Sequence, residues 1–348
     1  MGLRVRIGIS LGIFFLAALP ASRLNAQNLT LEGQTGGFLT PTAYVVYAEK
    51  GQLFSHPAVG FHFIDASAVI GKIETFSITE GFASRAEAGY TRSFHQFGNQ
   101  PTTTATPLGL SNLWNYSGMN VFHGKVVAFK DGQFGPWMPG IAIGGLVRTG
   151  DHFVSGYANK TLGLPGGDKA YTNGDVYIAV TKTWAKPPVP FLVNLGWKAT
   201  NATIFGIGGQ STRFGGRFFG GLGIPLPLGH GIVAVPSAGF TQEPKTSVNL
   251  NTLLNAALYQ CEAARACNPA SYPLMSAHIP TTLDYAVRVT QRDKPHFAFD
   301  IGVGQVAGNI GSIYVANPYY PSIGTPVVTT PVNLQARSIL GIGLSYRY

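Results

Sequence analysis

The sequence predicts an all-β chain folded as a single up-and-down antiparallel transmembrane barrel of about twelve strands, with short periplasmic turns and long extracellular loops. Three observations carry this. Asp, Glu, Lys and Arg make up only 11% of the 348 residues, against roughly 25% in an average soluble domain. Segments of about ten residues alternate apolar with small or polar side chains, which is the period of a strand. The links between these segments alternate between short and long, as in membrane barrels.

A surface so poor in charge cannot meet water in the usual way, which argues against an ordinary soluble enzyme. Disorder is excluded by 22 Phe and 15 Tyr, residues that disordered chains lack. The 45 Gly are nearly double the usual share of about 7%.

Along the chain, residues 1–26 read as a secretory signal peptide. Arg4 and Arg6 form a basic start, Ile7 to Leu19 an apolar run, and Leu24-Asn25-Ala26 offers a small residue for cleavage near Ala26. An uncleaved anchor is the alternative, but the apolar run is short for a membrane span. Removing Arg4, Arg6 and Arg23 from the 24 basic residues leaves 21 against 15 acidic ones. Beyond this segment no apolar stretch reaches about 18 residues, so spanning helices are not expected.

Residues 27–50 form a Gly- and Thr-rich leader, and 51–348 the barrel. The leader either occupies the lumen as a partial plug or leads irregularly into the first strand, and the lead-in is the expectation. Strands are expected near 52–64, 66–77, 85–95, 119–129, 138–148, 176–184, 189–200, 213–224, 232–242, 283–291, 296–306 and 335–348. The even count suits a bacterial barrel. Phe297, Phe299, Ile301 and Val303 alternate with Ala298, Asp300, Gly302 and Gly304. In a membrane barrel the apolar set faces lipid and the small or charged set faces the lumen. Short links fall at 130–137, 185–188, 225–231 and 292–295, and long ones at 96–118, 149–175, 201–212, 243–282 and 307–334. The first connection, at 64–66, is external but very short.

The last strand, Gly341-Ile342-Gly343-Leu344-Ser345-Tyr346-Arg347-Tyr348, resembles the C-terminal sorting signal of bacterial outer-membrane proteins. That resemblance implies recognition by the barrel-assembly machinery through Leu344, Tyr346 and Tyr348, and an outer-membrane location among outer-membrane lipids. The leader, Gly33-Gln34-Thr35-Gly36-Gly37-Phe38-Leu39-Thr40-Pro41-Thr42-Ala43, resembles the opening of YjbH-type outer-membrane proteins associated with exopolysaccharide production. The likeness covers roughly the first 70 mature residues, and Glu87 to Arg92 departs from that family's order. It implies an accessory role in surface polymer.

Cys261 and Cys267 fall in the longest external loop. An oxidising compartment favours a local disulfide between them, with modest stabilisation for so small a ring. Leu250, Leu253, Leu254, Ala257, Leu258 and Cys261 have helical spacing, with Thr246 or Ser247 as N-cap. A metal site at Cys261, Cys267 and His278 is less favoured, since no C-x-x-C pair is present, and no cofactor is expected. No G-x-S-x-G occurs. His62, His123 and His296 are isolated on the lumen face or a rim, so an enzyme is not expected; a lipid-modifying barrel enzyme would need Ser and His together at the rim.

Parity places Lys72, Arg85, Lys125, Arg148, Lys198, Arg213, Arg217, Arg288, Arg337 and Arg347 inward, with Glu74, Glu87, Asp284 and Asp300. A confined tube lined by one sign of charge attracts the opposite sign. The expectation is a passive channel for small polar or anionic solutes. The alternative is a closed structural or accessory barrel whose arginines are neutralised by carboxylates. Scattered basic residues without a recognition motif make nucleic acid an unlikely partner.

Overall fold

The computed structural model describes residues 28–66, 71–96, 117–151, 172–185, 190–202, 210–243, 281–291, 297–306, 312–316, 329–333 and 339–347. The signal segment, the helix expected over 248–266, Cys261, Cys267, His278, His296, Arg337 and Tyr348 lie outside these residues, and Arg213 is described by its backbone alone.

The first eight strands run in order around the wall. They are β1 (Ala58–Asp65), β2 (Lys72–Phe82), β3 (Ala86–Gln96), β4 (Ser117–Phe129), β5 (Gly140–Asp151), β6 (Thr172–Trp184), β7 (Phe191–Ala202) and β8 (Gln210–Gly223). The wall continues through β10 (Ile232–Thr241), β11 (Thr282–Gln291), β12 (Phe297–Val306) and β15 (Ile339–Arg347). Each pairs antiparallel with its neighbour, and β1 pairs with β15, with Ala58 opposite Arg347 and Asp65 opposite Leu340. The result is a closed barrel of twelve antiparallel strands, which leaves no sheet edge for lipid to contact. Among the described residues there is no helix.

Three further strands lie outside the wall. β9 (Leu226–Gly229) makes a short hairpin with the start of β10. Its turn carries positive φ at Gly229, His230 and Gly231, a backbone that glycine adopts at little cost. β13 (Ser312–Ala316) and β14 (Thr329–Asn333) pair with each other within the long link expected to be a plain loop.

The two faces of the wall are inverted relative to a soluble barrel. Phe122, Val126 and Val176 point outward and are more than half exposed, at 54, 57 and 58%, while Thr79, Thr91 and Thr200 point inward and are fully buried. Outward aromatics meet across strands, Phe61 with Phe76 at 4.9 Å between ring centroids and Tyr90 with Phe122 at 5.2 Å. Such pairs support the sheet from its lipid side.

Two expectations are corrected. β2 begins at Lys72, and Ile73, Thr75, Ser77 and Thr79 turn inward while Phe76 and Ile78 turn outward. Lys72 and Glu74 share the parity of Phe76, so they belong to the outer face and not to the lumen. The deciding register sets Phe76 opposite Phe61, because paired residues project from the same face. The second correction concerns the leader. Residues 28–46 are buried almost throughout, and they bond to inward side chains of many strands, so the segment is a plug inside the barrel and not an irregular lead-in.

Candidate functional site

The plug is folded on itself. Leu29 bridges Thr35, and Gly36 bridges Pro41. The Gly33 N–H donates to the Thr30 carbonyl at 2.9 Å, and the Leu31 N–H to the Phe38 carbonyl at 3.0 Å. Gly33 has a φ of 85°, and a Cβ there would lie 2.3 Å from Thr91 Oγ1. Only glycine tolerates both the conformation and the close approach. The glycine spacing of the leader therefore has a steric cause.

Three charged clusters on the wall hold the plug. Glu87 and Lys125 face each other across β3 and β4, with Lys125 Nζ 3.0 Å from Glu87 Oε1 and both side chains fully buried. Glu87 accepts from the Thr35 N–H at 2.9 Å, from the Thr35 hydroxyl and from the Val46 N–H at 3.0 Å. Lys125 donates to the carbonyls of Thr35 and Thr42 at 2.8 and 3.1 Å. On β5, Arg148 donates to both carboxylate oxygens of Asp175, at 3.2 and 2.8 Å, and to Glu32 of the plug. Across β11 and β12, Arg288 Nε donates to Asp300 at 2.8 Å, and Nη1 to the Gly36 carbonyl at 3.1 Å. Asn28 donates to the same Asp300 at 3.3 Å.

Neutral groups complete the fit. The Ala43 N–H donates to Thr181 Oγ1 at 2.8 Å, Asn194 donates to the Pro41 carbonyl at 2.9 Å, and Thr79 donates to the Gly33 carbonyl at 2.6 Å. His62 packs edge-on to Phe38 at 5.7 Å, and His123 Nε2 lies 3.3 Å from Thr79 Oγ1. Both histidines thus lie against the plug, remote from the lipid face. At the rim of the short links, Tyr44 donates to Asp131 at 3.1 Å, and Lys182 forms an ion pair with the same carboxylate at 2.6 Å. Burial holds the Tyr44 phenol well above its ordinary range. The plug leaves beside the β2–β3 turn, where the Ala48 N–H donates to Ser84 Oγ at 2.9 Å.

The structure places the other expected residues as follows. Lys198 and Arg217 are opposed on β7 and β8 with inward parity, and Arg217 donates to the Glu243 carbonyl at 2.8 Å. Arg85 lies in the β2–β3 turn, donating to the Ala128 carbonyl at 3.3 Å. Arg347 has inward parity at the end of β15, while Leu344 and Tyr346 face outward. Asp284 is buried on the inward face of β11. Parity missed Asp175, because the strand was expected to start one residue later, and Glu32, because the leader was not expected inside. An acid alone among the Gly- and Thr-rich residues 28–46 was the available signal for the second.

A cavity of about 110 Å³ remains between plug residues 36–44 and the inner faces of β7, β8, β10, β11 and β12. Its walls include Phe38, Thr42, Val233, Val235, Asp284 and Ala286.

Fold and interior together define a class: a closed β-barrel with a lipid-type outer surface and an internal plug. No protein-family model matches the sequence, and no curated protein matches it. Solved structures similar in outline include the KdgM porin, at 8% identity and a TM-score of 0.40, over 84% of this chain and 99% of that one. LpxR from Salmonella typhimurium gives 7% and 0.42, over 84 and 100%. The translocator domain of the autotransporter NalP from Neisseria meningitidis gives 9% and 0.36, over 86 and 90%. Likeness at this level bears on neither cargo nor chemistry.

Proposed function

We propose that the protein is a plugged outer-membrane channel for small polar solutes, with passage confined to the crevice between the plug and the β7–β12 side of the wall. The cavity on that side carries the reading: Asn194, Arg288 and Asp300 bond to the plug there too, yet a space stays between those contacts. Apolar residues ring the outside and suit contact with outer-membrane lipids. In the same reading, residues 1–26 are removed on export, and Leu344, Tyr346 and Tyr348 present the last strand to the barrel-assembly machinery. A preference for anions loses the support of Lys125, Arg148 and Arg288, each matched by a carboxylate.

The ion-paired attachment of the plug favours a second reading, a closed accessory barrel, in line with the leader's resemblance to exopolysaccharide-associated proteins. Planar-bilayer recording separates the two. The channel reading expects small discrete steps from the full protein and several-fold larger ones when residues 28–48 are deleted. Silence from the full protein beside conduction by the deletion variant establishes the closed barrel. Silence from both, with each still heat-modifiable on a gel, overturns the channel.

A further inference from the structure

Lys125, Arg148 and Arg288 in the lumen are each paired with a carboxylate, whereas one buried carboxylate beside the cavity is paired with no cation among the described residues. Asp284 lies on the inward face of β11 and is 6% exposed. Its Oδ1 is buried without a hydrogen-bond partner, and the carboxylate joins no ion pair among the described residues. Arg288, two inward positions along the same strand, is committed to Asp300 and to the Gly36 carbonyl. The site therefore keeps one uncompensated carboxylate. Room for it is built into the opposite strand: a Cβ on Gly239 would lie 2.5 Å from Oδ1 and 3.0 Å from Oδ2, so any larger residue would displace the group.

We propose that this cavity is a binding site for a small organic ammonium ligand, with Asp284 as its counter-ion. A lone carboxylate in a low-dielectric site calls for a charged donor, and the surroundings strengthen that interaction. A hard metal ion is a poor match, because it needs about six oxygen ligands, and the lining nearest Asp284 offers few: Gly239 stands opposite it, Ala286 is the next inward residue on β11, and Phe38 of the plug packs in the same apolar cluster as Ala286. Those residues suit the carbon stem of an amine instead. Thr42 lies on the plug side of the same space, so a bound ligand would touch both plug and wall. The site stands whether or not solute crosses the barrel.

Calorimetric titration of the full protein in detergent with ethanolammonium chloride tests this, with ethylene glycol as the neutral isostere. Saturable binding of ethanolammonium is expected, at least about tenfold tighter than ethylene glycol, the margin of a charge-assisted hydrogen bond. Asp284→Asn is expected to lose that margin while keeping its heat-modifiable barrel. No binding of ethanolammonium to the wild type overturns the proposal, as does equal binding of the two probes. Full retention of binding in Asp284→Asn overturns it as well. The comparison of probes on wild-type protein decides even if the variant does not fold.

Discussion

At the scale of single residues, the lumen is governed by carboxylates that serve two partners at once. Glu87 neutralises Lys125 on the neighbouring strand and also accepts from Thr35 and Val46 of the plug. Removing its charge leaves a buried ammonium unmatched, and breaking a buried pair in this way costs about 3–5 kcal/mol. Glu87→Gln is therefore expected to lower the temperature at which the barrel loses its compact form on a gel. In bilayers it should also show larger or noisier conductance. Replacing both partners by Glu87→Gln with Lys125→Met is expected to recover part of the loss, since no charge is then stranded. A double variant less stable than the single would contradict this account.

The elements divide by face. In β4, Phe122 and Val126 project to the lipid side, while Val121, His123 and Lys125 project to the plug. Phe122→Arg, at the middle of β4, is expected to cost about 2–4 kcal/mol, the penalty of a cation near the bilayer midplane, read as a shift in urea-dependent folding into lipid vesicles. The same substitution at Lys72, already polar and on the outer face near a rim, should change folding by much less. A silent Phe122→Arg would show that this face does not meet hydrocarbon. The β2 error shows where such reasoning fails. Ile73, Phe76 and Ile78 put apolar residues on both faces, so alternation within the strand could not choose the inward set, and pairing with β1 chose it.

At the scale of the whole barrel, pairing removes three of the inward cations that composition suggested, Lys125, Arg148 and Arg288. Inward cations outnumber acids when strands are read singly, but Asp175 and Glu32 meet Arg148, and Asp300 meets Arg288. A reversal potential measured across a KCl gradient is accordingly expected to show no anion preference. Strong anion selectivity in the full protein would mean that the paired cations do not set the local potential.

Sequence alone determined the strand count, the positions of nearly all twelve wall strands and the direction in which apolar side chains face. Those properties follow from local alternation and link length, because a strand crossing hydrocarbon must show one face to lipid whatever its neighbours are. Lys125, Arg148 and Arg288 were legible as inward residues for the same reason. Glu87 and Asp300, which pair with two of them, were legible in the same way; their partners on the plug were not, because Glu32, Thr35 and Gly36 reach them from a leader with no period to read. Tertiary structure alone decided that residues 28–46 fill the lumen, that Lys125, Arg148 and Arg288 are matched by carboxylates, and that Asp284 pairs with no cation among the described residues. The physical cause is that a closed wall brings remote segments into one low-dielectric space, where charges must find partners across large separations in sequence.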